Sequence, residues 1–183
     1  IMSIIIGADC VPTKKNIKYF EAADDDSLIG TELLNLLSKA DYRIINLEVP
    51  LTDKSTPFAK SGPNLIAPTA TVNGYMAFGI DLVTIANNHI LDQGSNGLSS
   101  TITILDGAGI KHIGAGANLR EAAVPHITSI GGKKVGVYAC AEHEFSIATE
   151  KSAGANPFDP LESYDVVLAL KQECDFVIVL YHG

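Results

Sequence analysis

The chain has 183 residues, 46% of them hydrophobic, with a mean hydropathy of +0.20; a chain this long buries roughly 70% of the surface its unfolded form exposes, and one compact domain is the expectation. Its 21 acidic residues outweigh 13 basic ones for a formal charge of −8, with no basic block. That argues against nucleic-acid binding through a phosphate-tracking patch, and an acidic surface repels polyanions unless metal ions or a local Lys or Arg group reverse the field at the site.

No apolar run reaches the ~18 residues of a membrane-spanning helix, and the opening Ile1 to Ile6 is too short, and lacks the basic flank, to be a secretory signal. Cys10, Cys140 and Cys174 form no Cys-x-x-Cys pair. Their odd number argues against a disulfide framework and for a reducing, cytoplasmic setting.

The first apolar run, Ser3 to Gly7, reads as a strand that hands over to the turn-prone Ala8-Asp9-Cys10-Val11-Pro12. Lys14 to Asp26 is polar and without a clear period, and the run Asp24-Asp25-Asp26 reads as a solvated helix start, since carboxylates favour the positive end of a helix. Leu28, Leu33, Leu36 and Leu37 then recur at helical spacing, with Ser27 or Asp26 as the expected cap. A second strand, Tyr42 to about Ile45, leaves Asn46 and Glu48 beyond its end.

Residues 52–71 carry Pro57, Pro63, Pro68 and Gly62 and show no sustained period; a loop this long in a compact domain is functional or disordered. Within it Lys54 and Lys60 are candidates to face an anionic substrate, with solvent the competing partner for both stems. A short helix over Asn73 to Phe78 precedes the stretch around which the chain is organised: a buried strand from Leu82 followed by Asn87-Asn88-His89-Ile90-Leu91-Asp92-Gln93-Gly94. Leu98, Ile102 and Leu105 predict a helix of about three turns that stops near Gly107 and Gly109.

Ile110 to Gly114 reads as a short strand and Gly114 to Asn118 as a loop, without the spacing of a dinucleotide fingerprint. Thr128 to Ile130 and Lys133 to Cys140, joined by Gly131-Gly132, predict a hairpin. That strand ends at Glu142-His143-Glu144, a second titratable cluster in which His143 is the candidate for metal or substrate contact. A helix over Leu161 to about Cys174 and a strand over Asp175 to Tyr181 follow, the latter with His182 beyond its end. The close at Gly183, directly after an apolar strand, reads as a fold that continues past it.

Strands alternating with helices predict an α/β fold, and in open α/β sheets ligands bind beyond the carboxyl ends of the strands. Four strand ends thus bring together Asp9, Glu48, Asn88, His89 and His182, with Asn46 and Asn87 beside them as candidate substrate contacts. Carboxylate, amide oxygen and imidazole are ligand types of hard to borderline divalent metals. Asp9, Glu48, Asn88 and His182 suffice for one ion and are sparse for two. His89 could reach a leaving group, and Asp92 could orient it. The competing structural reading makes Asn87, Asn88 and His89 caps of the following segment.

Gly7-Ala8-Asp9, Asn46-Leu47-Glu48-Val49-Pro50-Leu51, Ala86-Asn87-Asn88-His89-Ile90-Leu91-Asp92-Gln93-Gly94 and Val179-Leu180-Tyr181-His182-Gly183 resemble, in order and spacing, the bacterial capsule-synthesis CapA family, also called poly-gamma-glutamate synthesis proteins. The resemblance runs over nearly the whole chain. It implies a single calcineurin-like metallophosphoesterase domain over residues 1–183: a sandwich of mixed β-sheets flanked by helices (αββα), incomplete at its C-terminus. It also implies Asp9, Glu48, Asn88 and His182 as ligands of one or two divalent ions (Mn²⁺, Fe²⁺, Zn²⁺ or Mg²⁺), and His89 as general acid or charge stabiliser. Two departures bear on a two-metal centre. Val11 stands where the superfamily has a histidine ligand, and the superfamily's late histidine pair lies downstream of the last strand here.

The function expected is a metal-dependent hydrolase acting on a phosphorylated substrate or an anionic polymer. The alternatives are a non-catalytic accessory protein that binds polymer or the capsule-synthesis machinery, and a nucleotide-binding α/β domain. Relatives implied by the resemblance sit at the cell envelope, which would require an anchor preceding these residues.

Overall fold

The computed structural model describes residues 2–183. In chain order these form β1 (Ile4–Cys10), α1 (Ile17–Glu21), α2 (Asp25–Ser38), β2 (Tyr42–Leu47), α3 (Val72–Ala77), β3 (Leu82–Thr84), α4 (Gly94–Ala108) and β4 (Lys111–Ile113). The second half contains β5 (Ala115–Gly116), α5 (Leu119–Ala122), β6 (His126–Ile130), β7 (Lys133–Ala141), β8 (Gly154–Ala155), α6 (Glu162–Glu173) and β9 (Phe176–His182).

The first sheet is parallel throughout, in the order β1-β2-β3-β4. Parallel neighbours need crossover connections, which α2, α3 and α4 supply. The second sheet, β6-β7-β9, is mixed: β6 and β7 form an antiparallel hairpin, and β9 returns through α6 to run parallel to β7. The expected Gly131-Gly132 turn makes that hairpin, both glycines at positive φ (56° and 77°), the twist a two-residue hairpin turn demands.

Side chains along a strand alternate between faces, and β7 shows what the alternation does here. Val135, Val137, Ala139 and Ala141 join Ile44, Leu82, Val83 and Ile85 in one core shared by the two sheets, whereas Tyr138 and Cys140 turn the other way and pack with Leu170 of α6. α4 contributes Leu98 and Leu105 to the main core. The architecture is therefore two sheets over a common core with helices outside, as the αββα expectation has it; the first sheet is purely parallel rather than mixed.

Local departures from the sequence reading have local causes. The cap of α2 is Asp24, whose carboxylate accepts from the Ser27 backbone N–H, rather than Ser27 or Asp26. α4 ends on Gly109 in the left-handed region (φ 74°), as expected. Gly114 to Asn118, read as a loop, holds β5, a two-residue strand pairing with β8, and Asn118 caps α5. Among the described residues no helix is long and apolar enough to cross a membrane.

Candidate functional site

The site grows from strand ends. A register shift between Ile6 and Asp9 leaves Asp9 opposite Asn46 on β2, and Asn46 opposite Thr84 on β3. Asn46, buried at 7% exposure, is the junction: its Nδ2 donates to Asp9 Oδ1 at 2.7 Å and stands 3.2 Å from His182 Nδ1, while its Oδ1 accepts from Asn87 Nδ2 at 3.0 Å. Asn87 has no exposed surface. Its amide donates also to the Leu47 carbonyl and accepts from the His89 N–H, so it ties two strand ends together.

This scaffold holds four potential ligands around a cavity of about 250 Å³ lined by Asp9, Glu48, Asn88, Glu142, Glu144 and His182. His182 comes from the second sheet and closes the cluster. Its Nε2 is 3.2 Å from Asn88 Oδ1 and 3.5 Å from Glu48 Oε1, and its Nδ1 is 3.9 Å from Asp9 Oδ1. Because Asn46 presents an N–H to Nδ1, the ring proton sits on Nε2 and is donated to Asn88.

His89 approaches Glu48 from another side, its Nε2 4.0 Å from Glu48 Oε1. Its Nδ1 donates to Asp92 Oδ2 at 2.6 Å, which leaves Nε2 as the nitrogen turned toward Glu48. Asp92, 1% exposed, also accepts from the Leu65 N–H at 2.5 Å and pairs with the Lys60 ammonium.

Burial first, and then the adjacent Asp9 carboxylate, raises the pKa of Glu48. Two carboxylates and an amide oxygen facing one cleft are a donor set that a divalent cation satisfies. The separations of 3.2 and 3.5 Å from His182 Nε2 to Asn88 and Glu48 are close to the edges between ligands held at about 2.1 Å from one ion. The residues thus fit a single cation in kind, with one demand: His182 must exchange its present contact with Asn88 or Asn46 to ligate. Among the described residues no group of three His, Cys, Asp or Glu side chains stands at metal spacing; the fit needs the Asn88 amide oxygen.

Of the residues singled out from sequence, Asp9, Asn46, Glu48, Asn88, His89, Asp92 and His182 come together. The candidate substrate contacts do not behave alike. Asn87 is sealed inside with both amide ends engaged and is part of the frame. Lys60 faces neither solvent nor an open cleft, since its side chain is 3% exposed and paired with Asp92. His143 is exposed and bonded through Nε2 to the Phe158 carbonyl at 3.0 Å, off the cavity wall. Its neighbours Glu142 and Glu144 line the cavity instead, with the Tyr181 hydroxyl donating to Glu142. Their signal in the sequence was the place they share with His143 just past the end of β7.

A family model, bacterial capsule synthesis protein PGA_cap, matches residues 4–183. The capsule biosynthesis protein CapA of Bacillus anthracis is 29% identical over 160 residues, 80% of this chain and 38% of that one. A probable polyglutamine synthesis accessory protein of Mycobacterium tuberculosis is 31% identical over 100 residues, 51% of this chain and 25% of that one. The chain thus spans between a quarter and two fifths of the length of these relatives. Among solved structures, a novel phosphatase of Mycoplasma pneumoniae superposes with a TM-score of 0.55 at 17% identity, covering 100% of this chain and 56% of that one, a likeness of fold.

Proposed function

The chain belongs to the bacterial capsule synthesis protein PGA_cap family, and from that premise we propose that it is a metal-dependent hydrolase of a phosphoester, or of a related bond in an anionic polymer or its precursor. The observation that carries this reading is the meeting of Asp9, Glu48, Asn88 and His182 from four strand ends around one cavity. In this reading the described residues act as one CapA-like domain.

Asp9, Glu48, Asn88 and His182 would hold the cation, which when bound supplies Lewis-acid polarisation of a phosphoryl oxygen and acidifies a water. The protein's own groups do the rest. Asn46 and Asn87 keep the ligating strand ends in register. His89, its Nδ1 committed to Asp92, presents Nε2 to the reacting oxygen, where a protonated imidazole stabilises charge or delivers a proton to the leaving group. The acidic Glu142 and Glu144 make the wall unfavourable to an anion until a cation is present.

One relative favours a second reading. The mycobacterial protein is described as an accessory protein, and Val11 occupies the position where the superfamily that the sequence resembles has a ligand histidine. An accessory protein would use the same cleft to bind polymer or synthesis machinery without turnover.

Metal content of the full-length protein, measured beside Mn²⁺-supported turnover of a generic phosphodiester, separates the two. Expected for the hydrolase are bound metal, weakened by Asn88→Ala by at least the roughly 10–100-fold that losing a group behind a ligand costs, and turnover abolished by His89→Ala with metal still bound. Metal-free protein that still supports polymer assembly transfers the assignment to the accessory reading.

A further inference from the structure

We propose that Lys60 is a positioning residue for His89, acting through Asp92 from a loop outside the strand-end motifs; its catalytic consequence rests on the hydrolase reading above. Lys60 reaches the site from the segment 52–67, whose ends are closed where Leu51 bridges Ala67. Its ammonium pairs with Asp92 Oδ1, lies 3.4 Å from His89 Nδ1 and sits under the Phe145 ring, 5.7 Å from its centroid. Because Nδ1 already carries the proton given to Asp92, the ammonium is a neighbour of the imidazole and a partner only of the carboxylate.

The division of labour at Asp92 explains why that partner matters. Oδ2 takes both the His89 Nδ1–H and the Leu65 N–H, and no hydrogen bond reaches Oδ1, so the Lys60 ammonium is what holds that oxygen. A terminal carboxylate torsion is soft and broad, so two donors on one oxygen leave the carboxylate plane free to swing. A counter-charge on the other oxygen stops it, and the imidazole follows the carboxylate. Lys60 is poorly placed to meet substrate, being 3% exposed and roofed by Phe145. The same contact joins the 52–67 loop, which follows β2 in the first sheet, to the 142–148 loop, which follows β7 in the second.

The test is the ring spectrum of His89 in the ¹⁵N-histidine-labelled full-length protein, recorded beside Mn²⁺-supported turnover of bis(p-nitrophenyl) phosphate for wild type, Lys60→Met, Lys60→Arg and Phe145→Ala. Wild type is expected to give one sharp Nδ1–H tautomer. Lys60→Met is expected to give a broadened or mixed pattern and to lower kcat about 10–100-fold at unchanged KM, with Lys60→Arg restoring both. Phe145→Ala, a change at a half-exposed side chain that keeps the ion pair but admits water to it, is expected to shift the pattern partway, and it decides the matter should Lys60→Met not fold. A His89 pattern unchanged in the folded variants overturns the proposal whatever turnover does. A changed pattern in a protein with no turnover leaves Lys60 as the positioning residue and removes the hydrolase reading alone.

Discussion

Burial and the neighbouring Asp9 raise the pKa of Glu48, so the folded protein binds that proton more tightly than the unfolded chain does. Stability from this group is therefore greatest below the ordinary value of 4.5 and falls as pH rises through the folded pKa, leaving the ionised carboxylate a destabilising feature at neutral pH. Glu48→Gln is expected to raise Tm of the metal-free protein at pH 7, with the gain gone below pH 4, and Mn²⁺ is expected to raise Tm of the wild type more than that of the variant; thermal melts at both pH values check it. Lys60 has the opposite sign. Removing one partner of a buried ion pair leaves an uncompensated charge, so Lys60→Met is expected to lose about 3 kcal/mol in urea unfolding, and Lys60→Met with Asp92→Asn to recover most of it. Asp9, Glu48, Asn88 and His182 were legible as residues of one cavity because each follows an apolar run. Lys60 was not, since a lone lysine in a proline-rich loop has no local feature that distinguishes burial from solvation.

The loop 52–67 looks irregular in sequence yet is bonded at many points, and Gln93 explains much of the order. Its Oε1 accepts from the Thr56 N–H at 2.7 Å, its Nε2 donates to the Leu65 carbonyl at 2.9 Å, and its backbone carbonyl accepts from the Thr56 hydroxyl. The Phe58 N–H adds a bond to the Asp92 carbonyl. A fully buried amide with both ends engaged is a strong constraint, because each orphaned partner would carry a desolvation penalty. Gln93→Ala is expected to free the loop, seen as cleavage between residues 52 and 67 in limited proteolysis under conditions where wild type is intact. Elements with their own signal were readable: α4 from its apolar spacing and Gly109, the β6–β7 hairpin from its paired glycines. β5 and β8 were not, because a two-residue strand has no period and exists only through its distant partner.

At the scale of the molecule the two sheets must stay in register for His182, on one, to meet Glu48 and Asn88, on the other. Besides the shared core, Tyr42 of β2 and His126 of β6 link them: the phenol oxygen lies 3.1 Å from His126 Nε2, with the rings stacked. Burial, with Lys111 adding to it, lowers the His126 pKa from 6.5. The unfolded chain then takes up this proton before the fold does, so the stability the neutral ring contributes is complete above pH 6.5 and is lost as pH falls from there through the folded pKa. Tm is expected to drop between about pH 7 and 5, with a shallower slope in His126→Gln, as melts across that range would show. What the sequence determined alone is local: which runs are strands and helices, and which polar side chains follow their ends, since period and capping act over a few residues. What only the tertiary structure decided is depth and partnership. It sealed Asn87 into the frame, buried Lys60 against Asp92 and put Glu142 and Glu144 rather than His143 on the cavity wall. Burial and charge pairing are set by residues far apart in the chain, and no local pattern encodes them.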